Sequence, residues 1–244
     1  MYHIISYVKD DKISEQNIGN KARNLIELKK FGFNVPDFFV ISSDINDISL
    51  IQKEIYEAFD NLDSGQVAVR SSAIGEDSVN KSFAGQYKTI LFVSKENLMS
   101  AIEECRESLK TTYALSYSKG NIVNKMAVII QKMVFANISG VAFSADPVRS
   151  DKSVIIIESV DGQCDSLVSG MVTPNHYVIK KNKMSERNIP DNIEMIAKIT
   201  KEIENKFKYY IDIEWAIQDG VLYILQSRPI TTLNRYLLIP PSWD

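Results

Sequence analysis

The chain has 244 residues, with 28 Lys and Arg against 31 Asp and Glu, and its net charge of −3 excludes a broad cationic surface for nucleic acid or anionic lipid. A hydrophobic content of 45% allows one large domain or two lobes and excludes a disordered chain. The two cysteines give no disulfide framework, and no stretch has the apolar length of a signal peptide or a membrane span, so we expect a cytoplasmic protein without membrane contact.

The first candidate ligand lies at the start of a predicted helix, Ile18 to Lys30. Apolar residues recur there at helical spacing, Gly19 permits a tight entry, and Lys21 stands in the first turn. A lysine at the positive end of a helix is mildly unfavourable unless an anion lies between them. Lys21 is therefore either a phosphate ligand or an ordinary surface lysine.

A second candidate lies at the end of a predicted strand, Gln66 to Ser72. A strand at Phe38 to Ile41 and a helical pattern from about Asp44 to Phe59 precede it. Arg70 offers a guanidinium for a phosphate, next to two serine hydroxyls, although arginines at strand ends are usually solvated. Both interpretations are open at this point.

A segment rich in small residues follows, from Ser82 to Gln86. Ala84 and Gly85 would let backbone amides approach a ligand closely, and a strand is predicted from this segment to Val93. The segment is either a flap over a bound nucleotide or part of an ordinary hairpin.

The strand predicted at Met126 to Val134 is apolar apart from Gln131 and Lys132, which is typical of a strand covered on both faces. Gln131 stands near the end of the strand, where it could meet the edge of a purine, and Met133 could pack on the base. The remaining predicted elements are helices at Leu98 to Tyr117 and Asn192 to Phe207, and strands at Ser139 to Ala145, Val154 to Glu158 and His176 to Ile179.

The last two predicted strands, within Tyr209 to Pro229, form a hairpin. Alternation puts Asp212 and Glu214 on one face of the first strand, and it puts Gln226 and Arg228 on one face of the second. Whether these two pairs share a face depends on the turn between the strands.

A two-residue turn at Asp219-Gly220 would put Glu214 and Gln226 on opposite faces. A three-residue loop that starts at Gln218, with Gly220 left-handed, would bring them together. We predict the three-residue loop, because carboxylate, amide and guanidinium groups on one face suit a metal ion and a phosphate. An edge hairpin with one solvated face is the alternative.

Several short blocks occur in a fixed order along the chain: Arg70 to Ser72, Ser82 to Gln86, Gln131 to Val134, Ser139 to Val141, Ala145 to Pro147, Leu167 to Gly170, Thr173-Pro174, Asp212 to Ala216 and Gln226 to Pro229. Together they resemble the nucleotide-binding domain shared by phosphoenolpyruvate synthase, pyruvate phosphate dikinase and rifamycin phosphotransferase. The resemblance implies an α+β ATP-grasp fold over residues 1–236, whose lobes, roughly 1–130 and 131–236, clamp ATP and Mg²⁺, and a linker-like tail at 237–244.

The resemblance also implies roles by matching position: phosphate binding for Lys21, Arg70 and Arg228, a place under the phosphate-covering loop for Gly85 and Thr89, adenine contact for Gln131 next to Met133, and Mg²⁺ ligation for Glu214 and Gln226. The three cationic side chains would offset charge on the transferring phosphoryl group, where positioning and electrostatics do most of the catalytic work.

The activity that the resemblance implies is a dikinase-type phosphotransfer. ATP would be cleaved to AMP and phosphate, and the β-phosphoryl group would pass to a histidine on a separate domain or chain, for a small acceptor such as pyruvate, an antibiotic or an amino-acid amide. No long region follows Arg228, so we expect the carrier histidine on a partner and interpret His176 as structural. The turn at Asp161 to Asp165 departs from the family pattern, which leaves a module that binds ATP or a partner without turnover as the alternative.

Overall fold

The computed structural model of the chain describes residues 4–6, 17–74, 88–117, 125–163, 173–183 and 189–233. The chain divides into two compact units, residues 1–27 with 36–133, and residues 28–35 with 134–244. The predicted tail at 237–244 lies outside the described residues. Among the described residues, no helix combines the length and the apolar character needed to cross a membrane.

The described residues form strands and helices in a mixed order. The strands are β1 (Ile4–Ser6), β2 (Phe38–Ile41), β3 (Val67–Ala73), β4 (Thr89–Val93), β5 (Met126–Lys132), β6 (Ile138–Phe143), β7 (Val154–Asp161), β8 (Asn175–Lys180), β9 (Ile211–Gln218) and β10 (Val221–Pro229). The helices are α1 (Gly19–Lys30), α2 (Gln52–Asn61), α3 (Leu98–Tyr117) and α4 (Asp191–Phe207), with short 3₁₀ helices at Ile48–Ile51 and Lys95–Asn97. The predicted α+β class is confirmed.

The first unit is built on an antiparallel sheet in the order β1-β2-β5-β3-β4. One face of this sheet belongs to the hydrophobic core: Val67 and Val69 of β3 are buried with Val128 and Ile130 of β5, together with apolar residues of α2 and α3. Since side chains alternate along a strand, the residues between these four point to the opposite face. That face carries Arg70 and Gln131.

The helical pattern predicted from Asp44 to Phe59 begins later than expected. The Asp47 carboxylate accepts a hydrogen bond from the backbone N–H of Ser49 at 2.9 Å and caps the 3₁₀ helix, which leads into α2 at Gln52. Hydrogen bonds from the hydroxyl and the backbone of Ser49 lower the pKa of Asp47, so the cap holds at neutral pH. A capping aspartate thus replaces the first turn of the predicted helix.

The beginning of α1 is attached to the end of β3 through Ser72. The Ser72 hydroxyl donates to the carbonyl oxygen of Ile18 at 2.6 Å and accepts from the backbone N–H of Ala22 at 3.1 Å. Gly19 has a φ of +72°, and a Cβ atom there would lie 2.5 Å from the Ser72 carbonyl oxygen. Only glycine therefore permits this close approach of the helix to the strand.

The second unit is built on an antiparallel sheet in the order β10-β9-β6-β7-β8. Helix α4 packs against β6, β7 and β9, and its buried residues include Ile193 and Ile196. Gly140 of β6 is directly opposite Trp215 of β9 in the register, and the Trp215 side chain is fully buried. A Cβ atom on Gly140 would lie 1.9 Å from the carbonyl oxygen of Glu158, so the close approach of β6 to β7 at this position requires a glycine.

The hairpin of β9 and β10 corrects the predicted turn. Gln218 pairs with Val221, which leaves Asp219 and Gly220 as a two-residue turn, and both have positive φ, at +52° and +79°. These are the dihedral signs of a type I′ turn, the common two-residue connection between antiparallel strands. The predicted three-residue loop was wrong.

A β-bulge in β10 nevertheless puts the polar residues of the two strands on one face, the arrangement that we predicted from a three-residue loop. Ile224 pairs with Trp215, the register skips Leu225, and Gln226 pairs with Glu214. One extra residue on β10 exchanges its two faces from this point on, because the side-chain period of a strand is two. Asp212, Glu214, Gln226 and Arg228 therefore share a face, as predicted, although through a bulge.

The outer edge of β10 is covered by a short segment between α1 and β2. The backbone N–H of Ile224 donates to the carbonyl oxygen of Asn34 at 2.9 Å, and the Asn34 amide donates to the carbonyl oxygen of Leu222 at 2.8 Å. Asn34 thus bonds to the outer side of β10, which is the edge strand in the sheet order.

We expect Ser72→Ala to destabilise the protein by about 2 kcal/mol, because it leaves a buried backbone N–H and carbonyl without their hydrogen bonds. Ser71→Ala is the matched control: the Ser71 hydroxyl is fully buried and makes no hydrogen bond within the described residues, so its removal should be neutral or slightly stabilising. Urea unfolding of both variants measures the difference. Equal losses of stability in the two variants would contradict this account of the α1 attachment.

We expect Gly140→Ala to destabilise the protein by about 3 kcal/mol, because the added methyl group overlaps a carbonyl oxygen and forces a backbone shift. Gly65→Ala is the control, since no atom lies within 4 Å of the position of its Cβ atom, and we expect it to change the stability by less than about 1 kcal/mol. Melting temperatures from circular dichroism report both effects. A Gly140→Ala variant as stable as the control would show that β6 and β7 do not approach as described.

Candidate functional site

The polar face of the first sheet brings together three of the predicted site residues. Arg70 of β3 is directly opposite Thr89 of β4, and the Arg70 Nη1 atom donates to the Oε1 atom of Gln131 at 3.1 Å. Arg70 is 7% exposed and Gln131 is 2% exposed, whereas Thr89 is exposed. The sequence predicted these three residues as ligands but not the contact between Arg70 and Gln131, which lie 61 positions apart.

The contact with Gln131 affects what Arg70 can do. An amide oxygen orients a guanidinium group, but, unlike a carboxylate, it does not neutralise its charge. The Nε2 atom of Gln131 is buried and makes no hydrogen bond within the described residues, so this amide has donor capacity beyond its contact with Arg70. A positively charged guanidinium next to a buried amide donor is chemistry suited to an oxyanion.

Lys21 lies in the first turn of α1, next to the point where α1 joins β3. It is 7% exposed, and its neighbour Ala22 donates to the hydroxyl of Ser72, two residues after Arg70. The first turn of α1 contains no acidic residue that would offset the positive end of the helix. The predicted phosphate ligands Lys21 and Arg70 thus belong to two neighbouring elements of the first unit, α1 and β3.

The polar face of the second sheet carries the predicted metal ligands. Glu214 and Gln226 are directly opposite each other in the register, and Asp212 is opposite Arg228 in the next row of the same face. The Nε atom of Arg228 donates to the Oδ2 atom of Asp212 at 2.8 Å, with side-chain exposures of 27% and 9%. The Asp212 carboxylate thus fixes the Arg228 guanidinium on the face that Glu214 and Gln226 share.

The donor set of Glu214 and Gln226 fits Mg²⁺ chemically. Mg²⁺ prefers oxygen ligands and usually keeps waters and substrate phosphates in its shell, so one or two protein side chains suffice. Within the described part of the chain, no group of three or more His, Cys, Asp and Glu side chains could hold a metal ion. A carboxylate with an amide oxygen is therefore suited to a cation that arrives with a phosphate, and not to a metal held by protein ligands alone.

The predicted residues divide between the two units. Lys21, Arg70, Thr89, Gln131 and Met133 belong to the first unit, and Glu214, Gln226 and Arg228 belong to the second. Gly85 and the segment Ser82 to Gln86 lie outside the described residues. Met133 is 7% exposed, and its backbone N–H donates to the carbonyl oxygen of Gln66.

The chain is similar to several curated proteins. The rifampicin phosphotransferase of Bacillus cereus is 36% identical over 207 residues, which cover 70% of this chain and 24% of that protein. The phosphoenolpyruvate synthase of Pyrococcus furiosus is 35% identical over 238 residues, which cover 76% of this chain and 29% of that protein. The chain thus spans less than a third of the length of these two curated relatives.

Similar solved structures include a D-alanine–D-alanine ligase from Bacillus anthracis complexed with ATP, with a TM-score of 0.48 and 14% identity over 86% of this chain and 53% of that one. The sequence matches the family described as pyruvate phosphate dikinase, AMP/ATP-binding domain, over residues 45–192 and 181–237. This match covers most of the chain, which therefore belongs to the pyruvate phosphate dikinase AMP/ATP-binding domain family.

Proposed function

We propose that the chain is the ATP- and Mg²⁺-binding part of an ATP-dependent phosphotransferase of the dikinase type. The observation that carries the proposal is the bulged hairpin, which puts a carboxylate, an amide and a fixed guanidinium on one face of the second sheet. A member of an AMP/ATP-binding family with this donor set has the groups needed for a metal-bound phosphate chain.

Glu214 and Gln226 would hold Mg²⁺ through a carboxylate and an amide oxygen. When bound, the ion would neutralise negative charge on the phosphate oxygens and orient the chain of phosphates. Arg228 would bind phosphate oxygens from the same face with its Nη groups, while the bond from its Nε atom to the Asp212 carboxylate orients the guanidinium. Fixed positive groups of this kind require no reorganisation when charge moves during phosphoryl transfer.

The first unit would contribute Lys21 and Arg70 as further phosphate ligands, with Thr89 opposite Arg70 and Gly85 in the covering segment. Gln131 is proposed to serve two partners. Its oxygen orients Arg70, and its buried amide nitrogen would donate to the nucleotide, with Met133 next to the base.

The proposed reaction is cleavage of ATP to AMP and phosphate, with passage of the β-phosphoryl group to a histidine of a separate domain or chain. The small acceptor would be pyruvate, an antibiotic or an amino-acid amide. The names of the two relatives, a rifampicin phosphotransferase and a phosphoenolpyruvate synthase, agree with an antibiotic or a small carboxylate. The charge-offsetting residues named above act on the phosphates alone, so they do not distinguish among these acceptors.

We expect ATP with Mg²⁺ to raise the melting temperature of the chain, because a ligand that binds only the folded state stabilises it by mass action. Glu214→Gln and Arg228→Ala should each remove most of the shift. Glu202→Gln, an equal change of charge at an exposed position of α4, should keep it. The readout is differential scanning fluorimetry at a series of ATP concentrations. An unmodified chain whose melting temperature does not rise with ATP and Mg²⁺ would contradict the proposal.

A second experiment separates transfer from binding alone. The chain is mixed with a histidine carrier domain of the dikinase family, produced as a separate polypeptide, and with ATP labelled in the β-phosphate. We expect AMP and an acid-labile label on the carrier, both dependent on the carrier histidine. A chain that shows the thermal shift but yields neither product would be an ATP-binding module without turnover.

A further inference from the structure

The bulge in β10 lies at a point where the sheet itself gives the strand little support. Ile224 is the last regularly paired residue before the extra residue, Leu225, and Gln226 is the first after it. An extra residue disrupts the hydrogen-bond ladder to the neighbouring strand. Since β10 is the edge strand of the described sheet, no second strand of that sheet compensates for the disruption. Support next to the bulge therefore has to come from outside the sheet.

Two contacts fix the strand, one after the bulge and one before it. After the bulge, the Nε atom of Arg228 donates to the Asp212 carboxylate at 2.8 Å. Before the bulge, the backbone carbonyl oxygen of Asn34 accepts from the N–H of Ile224 at 2.9 Å, and its side-chain amide donates to the carbonyl oxygen of Leu222 at 2.8 Å. These are the bonds that one residue of a parallel strand would make, with the side-chain amide in place of the backbone N–H.

The path of the chain to Asn34 is fixed by the end of α1. The backbone N–H of Phe33 donates to the carbonyl oxygen of Leu28 at 3.0 Å, and the N–H of Gly32 donates to the carbonyl oxygen of Lys29 at 2.9 Å. Gly32 has a φ of +87°, so the three features together form a Schellman motif. The motif turns the chain sharply at a defined residue, two positions before Asn34.

An aromatic contact holds the same segment independently of β10. The ring of Phe31 lies edge-on against the ring of Phe207, the last residue of α4, with 5.6 Å between the ring centroids. This T-shaped arrangement is a favourable one for two aromatic rings. Both residues belong to the second unit, as β10 does. Asn34 therefore bonds to β10 from a segment that is anchored at its start.

We infer that Asn34 is a positioning residue for Gln226, the proposed Mg²⁺ ligand. Asn34 holds Ile224 and so fixes where the bulge begins, and the bulge decides that Gln226 lies opposite Glu214. Asn34 acts through the backbone of β10 and is not itself a ligand. This inference rests on the proposed function and adds to it a residue that neither metal nor nucleotide needs to contact.

A metal ligand is more sensitive to such positioning than a phosphate ligand is. Mg²⁺ requires near-ideal octahedral geometry with oxygen atoms at about 2.0–2.1 Å, so a small shift of β10 weakens ligation by Gln226. Groups that orient metal ligands without touching the metal affect metal affinity for this reason. Loss of the Asn34 contact should therefore weaken the binding of ATP with Mg²⁺ and not that of metal-free ATP.

Asn34→Ala tests this expectation, because it removes the donor to Leu222 and keeps the backbone carbonyl that bonds to Ile224. Isothermal titration calorimetry measures the Kd of the chain for a non-hydrolysable ATP analogue, once with excess Mg²⁺ and once with EDTA. We expect the variant to bind the analogue with Mg²⁺ about fivefold more weakly, which is the effect of one hydrogen bond. The Kd in EDTA should equal that of the unmodified chain.

Asn137→Ala is the matched control. The Oδ1 atom of Asn137 accepts from the backbone N–H of Asp219 at 2.6 Å, so this change also removes one side-chain hydrogen bond from the same hairpin, but at its turn. The ratio of the two Kd values should match that of the unmodified chain. An unchanged ratio in Asn34→Ala, or equal changes of the ratio in both variants, would overturn the positioning role.

Hydrogen exchange of the ligand-free chain gives an independent measurement. Backbone amides from Leu225 to Arg228 should exchange about fivefold faster in Asn34→Ala, because the strand next to the bulge opens more often, and should be unaffected in Asn137→Ala. Unchanged exchange in Asn34→Ala contradicts the inference. An unmodified chain that binds no ATP contradicts the proposed function instead, and the exchange rates then still decide whether Asn34 fixes the bulge.

A second substitution covers the case in which Asn34→Ala fails to fold. Phe31→Leu keeps an apolar side chain and removes the ring contact with Phe207, so it loosens the segment without touching β10. We expect the same selective weakening of Mg²⁺-dependent binding, by about threefold. If Phe31→Leu has the Kd ratio and the exchange rates of the unmodified chain, the segment does not position Gln226.

Discussion

The β-bulge in β10, one extra residue at Leu225, is the constraint on which the candidate site depends. Without it, the two-residue turn at Asp219-Gly220 would leave Gln226 on the opposite face from Glu214, and Arg228 away from Asp212. The bulge occurs between Ile224 and Gln226, so the apolar pairing near the turn is kept while the polar residues beyond it change face. A single local irregularity thus combines a two-residue hairpin turn with a shared face of polar side chains, the proposed metal and phosphate ligands.

In the first unit, contacts between distant segments bring the candidate ligands together. Ser72 attaches α1 to β3, and the amide of Gln131 holds the guanidinium of Arg70. In both units, therefore, a cationic side chain is oriented by a neighbour before any ligand arrives: Arg70 by a neutral amide and Arg228 by the Asp212 carboxylate. Such preorganisation lowers the cost of ordering long side chains when a phosphate binds.

The sequence predicted most of the elements, because alternation and turn residues are local signals. It predicted the shared face of the hairpin from the chemistry of the side chains, with the wrong turn. The Asp219-Gly220 dipeptide is itself a strong signal for a two-residue turn, and the bulge at Leu225 that makes this turn compatible with the site has no comparable local signature.

The cover that Asn34 provides for β10 also bears on how the protein behaves in concentrated solution. An uncovered outer strand offers its backbone groups to any other chain, which is a common start of aggregation. Here the carbonyl oxygen of Leu222 and the backbone N–H of Ile224 are already bonded to Asn34. At these two residues, the strand that carries Gln226 and Arg228 is therefore less open to pairing with a second molecule.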